Sequence, residues 1–355
     1  MNNKIISIDG KKIGNDAPPY IIAEISANHN GDLERALLTI DMAKSQGADA
    51  VKIQTYTANT ITIDCDIEDF MVRGGAWDGY NLYKLYLWAQ TPYEWHQAMF
   101  DHARKIGITL FSTPFDETAV ELLEGLNTPA YKIASFEAVD LPLIKLVAQT
   151  GKPLIISTGM ADKEEIAEAV ETARENGCNE LVLLHCISSY PTPIQQSNLR
   201  TIPELAERFD VISGLSDHTL GTTAAVAGVA LGASVIEKHV TLSRQDKGPD
   251  SEFSLEPEEL NKLCKDSKDA WLALGKASYE RKPAEVPSMK YRRSIYVVED
   301  INAGEKFTKE NIRRIRPGLG LKPKYYDAVL NQRASCELKR GMALKWEYID
   351  TKNKI

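Results

Sequence analysis

The sequence predicts an α/β protein in which a (β/α)8 TIM barrel is followed by a small C-terminal β-rich domain. The barrel is predicted because eight short apolar runs alternate with eight amphipathic helical stretches between about residues 20 and 275. Repeated βα units form parallel sheets, and eight of them are typical of a closed barrel. The second domain is predicted because a proline-containing linker follows Gly275 and the remaining chain is too short for another barrel.

The eight apolar runs are nearly continuous in hydrophobic residues, as expected of strands that are buried on both faces. They are YIIAEI (20–25), AVKIQT (50–55), ITLFST (108–113), YKIAS (131–135), LIISTG (154–159), LVLLHC (181–186), VISGLS (211–216) and VIEKHV (235–240). Predicted helices lie between them, for example over 33–45, 162–176 and 256–274. An open doubly wound sheet is the alternative, but the first run ends in EISANHNG, which lacks the glycine-rich phosphate turn of that fold.

These patterns divide the chain into a barrel over 1–275, a linker over 276–289 and a C-terminal domain over 290–355. Within the barrel, an insertion over about 56–90 separates the second strand from the next helix, and connections of this length are usually functional. The C-terminal domain contains a faint repeat with a period of 37 residues. We therefore expect a duplicated β motif in that domain.

Composition and charge argue against several classes of protein. Lys and Arg total 42 and Asp and Glu total 50, so the net charge of −8 disfavours a protein that binds nucleic-acid backbones. No run reaches the roughly 18–20 apolar residues of a membrane span, and the first residues lack the apolar region of a signal peptide. The five cysteines are scattered without a CxxC pair, which fits reduced thiols. We expect a cytoplasmic protein with no nucleic-acid or membrane partner.

Polar side chains follow all eight predicted strands, at the end where such a barrel carries its chemistry. Four of the six histidines lie there, namely His29, His185, His218 and His239. We expect the other two, His96 and His102, to face solvent on a helix. Because His218 and His239 end neighbouring strands, their imidazoles can converge on a divalent metal, although ordinary hydrogen-bonded histidines are the alternative. The absence of a nearby cysteine argues against structural zinc and favours Mn²⁺ or Mg²⁺.

A second group of strand-end residues is cationic and hydroxylic. It consists of Lys52, Lys132, Ser135, Ser157 and Ser216. Ammonium and hydroxyl groups suit a bound phosphate, and lysines on buried strands are costly unless they are paired. Two alternatives stay open. Each lysine can pair with a carboxylate such as Glu24 or Glu137, or one of them can form a Schiff base with a carbonyl substrate.

Nine motifs in chain order resemble those of the sialic acid synthase family. They are EISANHNGD, VKIQTYT, FSTPFD, YKIASFE, ISTGMA, HCISSYP, GLSDHTLG, ASVIEKHVTLSR and GPDSEFSLEP. The resemblance extends from Pro19 to Ile349 and includes a C-terminal antifreeze-like SAF domain. Within the family, the first motif and the insertion are most similar to the pseudaminic acid synthases. The resemblance implies a metal-dependent transferase that condenses phosphoenolpyruvate (PEP) with the open-chain aldehyde of 2,4-diacetamido-2,4,6-trideoxy-L-altrose and water, giving pseudaminic acid and phosphate.

The resemblance also implies roles for individual residues. Glu24 would act on a water or a sugar hydroxyl, and His218 and His239 would bind the cation, Mn²⁺ or else Mg²⁺ or Co²⁺. Asp217 would orient His218. The residues implied in PEP binding are Lys52, Thr113, Lys132, Ser135, Ser157 and Ser216. The residues implied in sugar binding are Gln54, Glu137, Tyr190, Glu237, Asp250 and Arg316.

In this family the SAF domain of one subunit covers the barrel of its partner, so the resemblance implies a domain-swapped homodimer. Arg316 would then reach the acyl group of the sugar, with Arg313 or Arg314 as substitutes and a solvated basic edge as the alternative interpretation. The insertion would offer an apolar surface to a sugar that lacks the 6-hydroxyl, or would merely pack onto the barrel. Its candidate residues are Trp77, Tyr80, Leu82, Tyr83 and Tyr86.

Three other functions are compatible with parts of the sequence. An N-acetylneuraminate or legionaminic acid synthase would share the family and the chemistry but use another N-acyl amino sugar. A Schiff-base aldolase would need no metal and would be trapped by borohydride. A non-catalytic carbohydrate-binding protein would not need two lysines and two histidines together at strand ends.

Overall fold

The protein was analysed as a computed structural model that describes residues 4–75 and 77–350. The chain forms two compact units, Met1–Gly275 and Lys276–Ile355. A 3₁₀ helix over Pro283–Tyr291 follows the start of the second unit. In the described part of the chain, no helix combines the length and the apolar character that crossing a membrane requires.

Eight parallel strands of the first unit close into a barrel, which confirms the predicted architecture. In chain order they are β3 (Tyr20–Glu24), β4 (Ala50–Thr55), β5 (Thr109–Pro114), β6 (Tyr131–Ile133), β7 (Leu154–Ser157), β8 (Leu181–Cys186), β9 (Ile212–Ser216) and β10 (Val235–His239). The barrel closes where β10 pairs with both β9 and β3. Nearly every strand residue is buried, as expected of a sheet with helices outside and side chains inside.

Helices follow the strands, and the second and third of them lie in the insertion after β4. They are α1 (Leu33–Gln46), α2 (Ala58–Ile61), α3 (Leu82–Ala89), α4 (Tyr93–Ile106), α5 (Glu117–Gly125), α6 (Leu141–Ala148), α7 (Lys163–Glu175), α8 (Thr201–Phe209), α9 (Thr223–Ala230) and α10 (Pro257–Leu274). Local sequence signals set their ends. Asp32 caps α1 by accepting a hydrogen bond from the Glu34 amide, and Gly47 ends that helix at a φ of 98°.

A β-hairpin closes the amino-terminal end of the barrel and was not predicted. Its strands are β1 (Ile5–Ile8) and β2 (Lys11–Gly14), which pair antiparallel. The side chains of Ile6, Ile8 and Ile13 join the cluster of inward-facing residues that includes Tyr20 at the start of β3. The hairpin therefore seals one end of the barrel with apolar side chains.

The insertion between β4 and α4 contains little regular secondary structure. It contains α2, a 3₁₀ helix over Glu68–Phe70, and α3. Asn81 organises it, because its side chain donates a hydrogen bond to the Cys65 carbonyl and accepts one from the Lys84 amide at the start of α3. The insertion thus consists of short helices joined by turns, with Asn81 linking one turn to the start of α3.

The second unit is built on an antiparallel pair, β11 (Ser294–Val297) and β12 (Ile312–Ile315), with a short helix, α11 (Tyr326–Val329). Its core contains Phe307 and Leu344, which are 37 positions apart. Ile301 and Leu338, separated by the same 37 positions, bridge antiparallel through reciprocal backbone hydrogen bonds of 2.8 Å. The expected repeat is therefore a structural one.

Candidate active site

Strand alternation brings polar side chains together at the carboxyl end of the barrel, which we call the mouth. Along β3, the inward-facing residues are Tyr20 and Ile22 in the lower part of the strand and Glu24 at its carboxyl end. The register places Glu24 beside Lys52 on one side and His239 on the other. The mouth therefore collects charged side chains on top of an apolar interior.

Lys52 is the centre of the charge network in the mouth. Its side chain is 4% exposed, and its Nζ lies 2.7 Å from Oε2 of Glu24 and 4.0 Å from Oε2 of Glu237. It also donates a hydrogen bond of 2.9 Å to Oγ1 of Thr113. Burial raises the pKa of Glu24, and Lys52 opposes that shift only in part. The predicted alternative of a lysine paired with Glu24 is thus present in the protein.

Lys132 is much less well paired. Its Nζ donates to the carbonyl of Ile133 at 3.0 Å, and the Oε1 atom of Glu237 is 3.9 Å away. Burial lowers the pKa of Lys132, which Glu237 offsets only in part. Burial alone would raise the pKa of Glu237, but Lys132 and Lys52 outweigh it and hold that pKa below its ordinary value. A buried ammonium at this distance from its counter-charge can still bind an anion.

Hydroxyl groups form a cradle beside Lys132. A Cβ atom at Gly159 would lie 2.3 Å from Oγ of Ser188 and 2.7 Å from Oγ of Ser135, so both hydroxyls approach the backbone only because residue 159 is glycine. Oγ of the buried Ser157 has no hydrogen-bond partner within residues 4–75 and 77–350. Ser216 instead donates to Oε1 of Glu237 at 3.0 Å. Hydroxyl donors beside a cation suit an oxyanion, and that of Ser157 lacks an acceptor in the described part of the chain.

The imidazoles of His218 and His239 face each other across the mouth, with ring centroids 5.5 Å apart. Nδ1 of His218 is 3.0 Å from the carbonyl oxygen of Ile187, an arrangement that leaves Nε2 for another partner. Nδ1 of the buried His239 has no hydrogen-bond partner among the described residues. Burial, together with His218, lowers the pKa of His239, which favours the neutral ring that metal binding requires, whereas Cys186 raises the pKa of His218 despite its burial.

The surroundings of His218 differ from the sequence prediction in two respects. Asp217 does not contact the imidazole, because its Oδ2 accepts a hydrogen bond of 2.7 Å from Lys238. Nor is cysteine absent from the neighbourhood, since Sγ of Cys186 lies 3.8 Å from Nδ1 of His218 and 3.4 Å from Oγ of Ser135. Cys186 points inward because it continues the inner parity of β8, while the Asp217 side chain faces away from the mouth.

The other buried histidines lie outside the mouth. His29 contacts the Gly31 amide and the Thr91 hydroxyl, and burial lowers its pKa to about 4. His185 lies 2.7 Å from the carbonyl of Ser197, on the helix side of β8. The expectation that His96 faces solvent is wrong, because it is fully buried against Thr55. These rings are satisfied by local groups, so strand-end position alone does not select functional histidines.

Aromatic side chains cover the histidine pair. The ring of Tyr190 is 4.2 Å from that of His218, and the ring of Phe253 is 5.1 Å from that of His239. Trp77 of the insertion lies 5.5 Å from Tyr190, and its indole N–H donates to the Pro249 carbonyl at 3.0 Å. A cleft of about 380 Å³ continues past Trp77 between the insertion and the loop after β10.

The remaining aromatic residues of the insertion were predicted either to contact the sugar or to pack onto the barrel, and they differ in where they lie. Tyr86 packs edge-on against the buried Tyr56, as the packing alternative expects. Tyr80 stacks on Trp88 at 6.0 Å along the cleft, and Tyr83 hydrogen-bonds Asn59 away from it. Trp77 is thus the predicted residue that lies beside the aromatic wall of the mouth.

Several predicted sugar-binding residues also lie in or beside the mouth. Gln54 donates to both Glu24 and Ser26 at 2.9 Å. Asp250 is buried and accepts a hydrogen bond of 3.3 Å from the Ala27 amide. Burial raises the pKa of Glu137 to about 7, and Oε2 of this carboxyl has no partner in the described part of the chain. Arg316 belongs to the second unit, where its side chain is exposed.

Sequence reasoning missed Ser188, Gly159 and Phe253. Ser188 is one of two consecutive serines shortly after β8, and Gly159 follows an unremarkable strand end. The signal that was available for Cys186 is parity, because it lies two residues after the inward-facing Leu184. No local signal marks Phe253, which reaches the mouth through the fold of the loop after β10.

Comparisons with known proteins agree with this geometry. The NeuB family model matches residues 39–279, and the SAF domain model matches residues 292–349. A pseudaminic acid synthase of Campylobacter jejuni is 46% identical over 94% of this chain and 98% of its own length. An N,N'-diacetyllegionaminic acid synthase of Legionella pneumophila is 37% identical over 98% of this chain and 99% of its own length.

Among solved structures, an N-acetylneuraminic acid synthetase from Leptospira borgpetersenii superposes with a TM-score of 0.72 at 32% identity. The match covers 81% of this chain and 95% of that chain. The fold and the matched ranges therefore agree with the resemblance found in the motifs. The chain belongs to the NeuB family and carries a SAF domain.

Proposed function

We propose that this protein catalyses the condensation of PEP with 2,4-diacetamido-2,4,6-trideoxy-L-altrose and water to give pseudaminic acid and phosphate. The observation that carries the proposal is the 46% identity to a pseudaminic acid synthase over nearly the whole of both chains. The lower identity of 37% to a legionaminic acid synthase favours this acceptor over its closest alternative. The chemistry of the mouth supports the same reaction.

PEP is proposed to bind where the buried lysines and the serine hydroxyls meet. Lys132 supplies a charge that its nearest carboxylate, 3.9 Å away, does not neutralise. Ser135, Ser157 and Ser188 supply donors around Gly159 for the phosphate oxygens. Lys52 and Thr113 lie on neighbouring strands and suit the carboxylate. Ser216 donates to Glu237 and would join this set if PEP displaced that contact.

The reaction joins C3 of PEP to the aldehyde carbon of the sugar, and the aldehyde oxygen takes up a proton. C2 of PEP becomes electron-poor and receives water, which loses a proton. The C2–O bond to phosphate then breaks, the C2 hydroxyl loses its proton as it becomes the ketone, and phosphate leaves with the bridging oxygen and takes up that proton. Glu24 is proposed to take the proton of the water, because its carboxylate lies within the mouth and is held by Lys52 and Gln54.

His218 and His239 are proposed to hold a divalent cation, preferably Mn²⁺, with Mg²⁺ or Co²⁺ as substitutes. The residues fit such an ion because the two rings are 5.5 Å apart and Nδ1 of His239 is a buried, unpartnered nitrogen. Two imidazole ligands would leave the other coordination positions of such an ion to substrate and water. Such an ion supplies Lewis-acid polarisation of the aldehyde oxygen.

The acceptor sugar is proposed to lie under the aromatic wall. A sugar without a 6-hydroxyl and with two acetamido groups presents apolar surface, which Tyr190, Phe253 and Trp77 can cover. Its hydroxyl and amide groups would meet polar side chains at the rim. We assign these contacts to Gln54, Glu137, Glu237 and Asp250.

A homodimer is proposed because the rim of the mouth is apolar and uncovered. Phe136, Met160, Ile194 and Leu220, which follow four successive strands, are each more than half exposed. The SAF domain of a second copy would cover this surface and bring Arg316 to the sugar, with Arg313 and Arg314 equally exposed as substitutes. We further propose that the enzyme works in the cytoplasm.

Phosphate release from PEP tests the proposal. Mn²⁺ is supplied and the diacetamido sugar is compared with N-acetylmannosamine. Release only with the diacetamido sugar, abolished by EDTA and by His218→Ala, is expected. His185→Gln serves as the matched control, because that histidine lies at a strand end but hydrogen-bonds Ser197 outside the mouth.

Three other results would contradict parts of the proposal. Release only with N-acetylmannosamine would change the acceptor and keep the reaction. Turnover that persists in EDTA and is trapped by borohydride would indicate a Schiff-base aldolase. Sugar binding with no turnover of any acceptor would indicate a carbohydrate-binding protein.

A further inference from the structure

A buried lysine holds the chain on both sides of His218. Lys238 Nζ donates hydrogen bonds of 2.7 Å to Oδ2 of Asp217 and 2.6 Å to the carbonyl of Thr219. It also lies 3.4 Å from the carbonyl of Asp217. All three acceptors belong to the residues immediately before and after His218. The ammonium group therefore fixes this segment from one side.

The same lysine is adjacent to His239 in the chain. The side chains of Lys238 and Asp217 are 1% and 2% exposed, so solvent does not compete for the pair. Asp217 is further anchored, because its Oδ1 accepts a hydrogen bond of 2.9 Å from the Thr219 amide and its own amide donates to the Glu237 carbonyl. One ion pair thus joins the two strand ends that carry the histidines.

The pair cannot contact substrates in the mouth. Side chains alternate along β10, so Glu237 and His239 point inward and Lys238 points into the helix layer. Apolar side chains of similar volume can often replace a buried ion pair without loss of stability. Apolar side chains, however, cannot make the directed hydrogen bonds that the Lys238 ammonium makes to Asp217 and Thr219.

We propose that the Lys238–Asp217 pair is a positioning device that sets the relative placement of His218 and His239 for joint binding of a divalent cation. This inference rests on the proposed metal site. Neither residue is a catalytic residue, since both act through the histidines. The pair differs from the charges of the mouth in having no part in binding PEP.

Binding of Mn²⁺ alone to the metal-free, full-length protein tests the proposal, measured by calorimetry beside PEP binding to the same samples. Asp217→Asn keeps the side-chain volume and an oxygen for Thr219, while Lys238→Met removes the ammonium. Each is expected to weaken Mn²⁺ binding by about 10–100-fold, the range found for groups that orient metal ligands, and to leave PEP binding within about twofold. Lys152→Met is the control, because it breaks a partly buried pair with Glu124 outside the mouth.

The outcomes separate this inference from the metal site itself. If the unmodified protein binds no Mn²⁺, or binds it no better than His218→Ala does, the proposed metal site and the positioning role are both wrong. If it binds Mn²⁺ and folded Asp217→Asn binds it equally well, only the positioning role falls. Equal losses of Mn²⁺ and PEP binding, or a loss matched by Lys152→Met, would also overturn it, because they would indicate general disorder.

Discussion

The two ends of the barrel are built on opposite principles. At the amino-terminal end, Ile6, Ile8 and Ile13 of the hairpin fill the opening with apolar side chains. At the mouth, buried lysines and carboxylates share one small space. Unpartnered polar atoms gather there too, among them Ser157 Oγ, Glu237 Oε2 and His239 Nδ1.

The difference indicates that the amino-terminal end serves stability and that the mouth serves binding. Unpaired polar atoms are costly inside a protein, and they persist where a ligand completes their contacts. The inner face of one strand shows both principles, since Ile22 is apolar and Glu24 is charged. Changes at the mouth should therefore affect turnover more than stability, and changes at the hairpin should do the reverse.

The largest effect is expected for Lys132→Met. Loss of the ammonium removes the least neutralised charge in the mouth, so kcat/KM for PEP should fall by about a thousandfold. The unfolding midpoint should change far less, because the buried Glu237 keeps Lys52 at 4.0 Å and its hydrogen bond from Ser216 when the Lys132 ammonium is removed. Steady-state kinetics and thermal unfolding of the same samples check both expectations.

If Lys132→Met lowered the unfolding midpoint but kept a normal kcat/KM in its folded fraction, Lys132 would serve stability and not PEP binding. Lys152→Met controls for the general loss of a lysine, because its charge pairs with Glu124 outside the mouth. It should change neither kcat/KM nor the midpoint appreciably.

A smaller effect, on stability alone, is expected for Ile8→Ala at the opposite end. Ile8 is fully buried in the inner cluster, so the truncation should lower the free energy of unfolding by about 3 kcal/mol. Ile5→Ala is the control, since Ile5 lies on the same strand but is 52% exposed. Urea unfolding should separate the two variants, while both keep normal kcat/KM. A loss of turnover in folded Ile8→Ala would show that the two ends are coupled.

Much of the fold could be predicted from the sequence, because βα periodicity is a local property repeated eight times. The hairpin was missed although its signal is present. Asp9 and Gly10 form a two-residue turn with φ values of 50° and 77°, which favours a hairpin between short strands. Its strands are only four residues long each, which is too short for a periodic pattern to stand out.

The site could be predicted as a set of residues but not as a geometry. Strand ends identified Glu24, Lys52 and Lys132, because a barrel places every strand end in one region. They did not distinguish His239 from His185, since that choice depends on which face of the strand each side chain occupies. Contacts of Asp217 and Cys186 depend on the register between strands, which no local pattern specifies.

The last prediction concerns pH and a carboxyl at the rim of the mouth. Burial raises the pKa of Glu137 from 4.5 to about 7 in the folded protein. Between these values the folded state binds more protons than the unfolded state, so stability falls as the pH rises through this window. Glu137→Gln does not titrate and escapes that loss. Its free energy of unfolding, relative to the unmodified protein, should therefore increase by about 2 kcal/mol from pH 5 to pH 7.

Urea unfolding of metal-free protein at pH 5, 6 and 7 measures this difference. Glu121→Gln, on the exposed face of α5, controls for the loss of a surface carboxylate. Parallel stability curves for Glu137→Gln and the unmodified protein would mean that the carboxyl is solvated or paired in solution. Glu137 would then belong with the satisfied groups of the fold rather than with the unpartnered atoms of the mouth, and the contrast between the two ends would narrow to the lysines, the serines and the histidine pair.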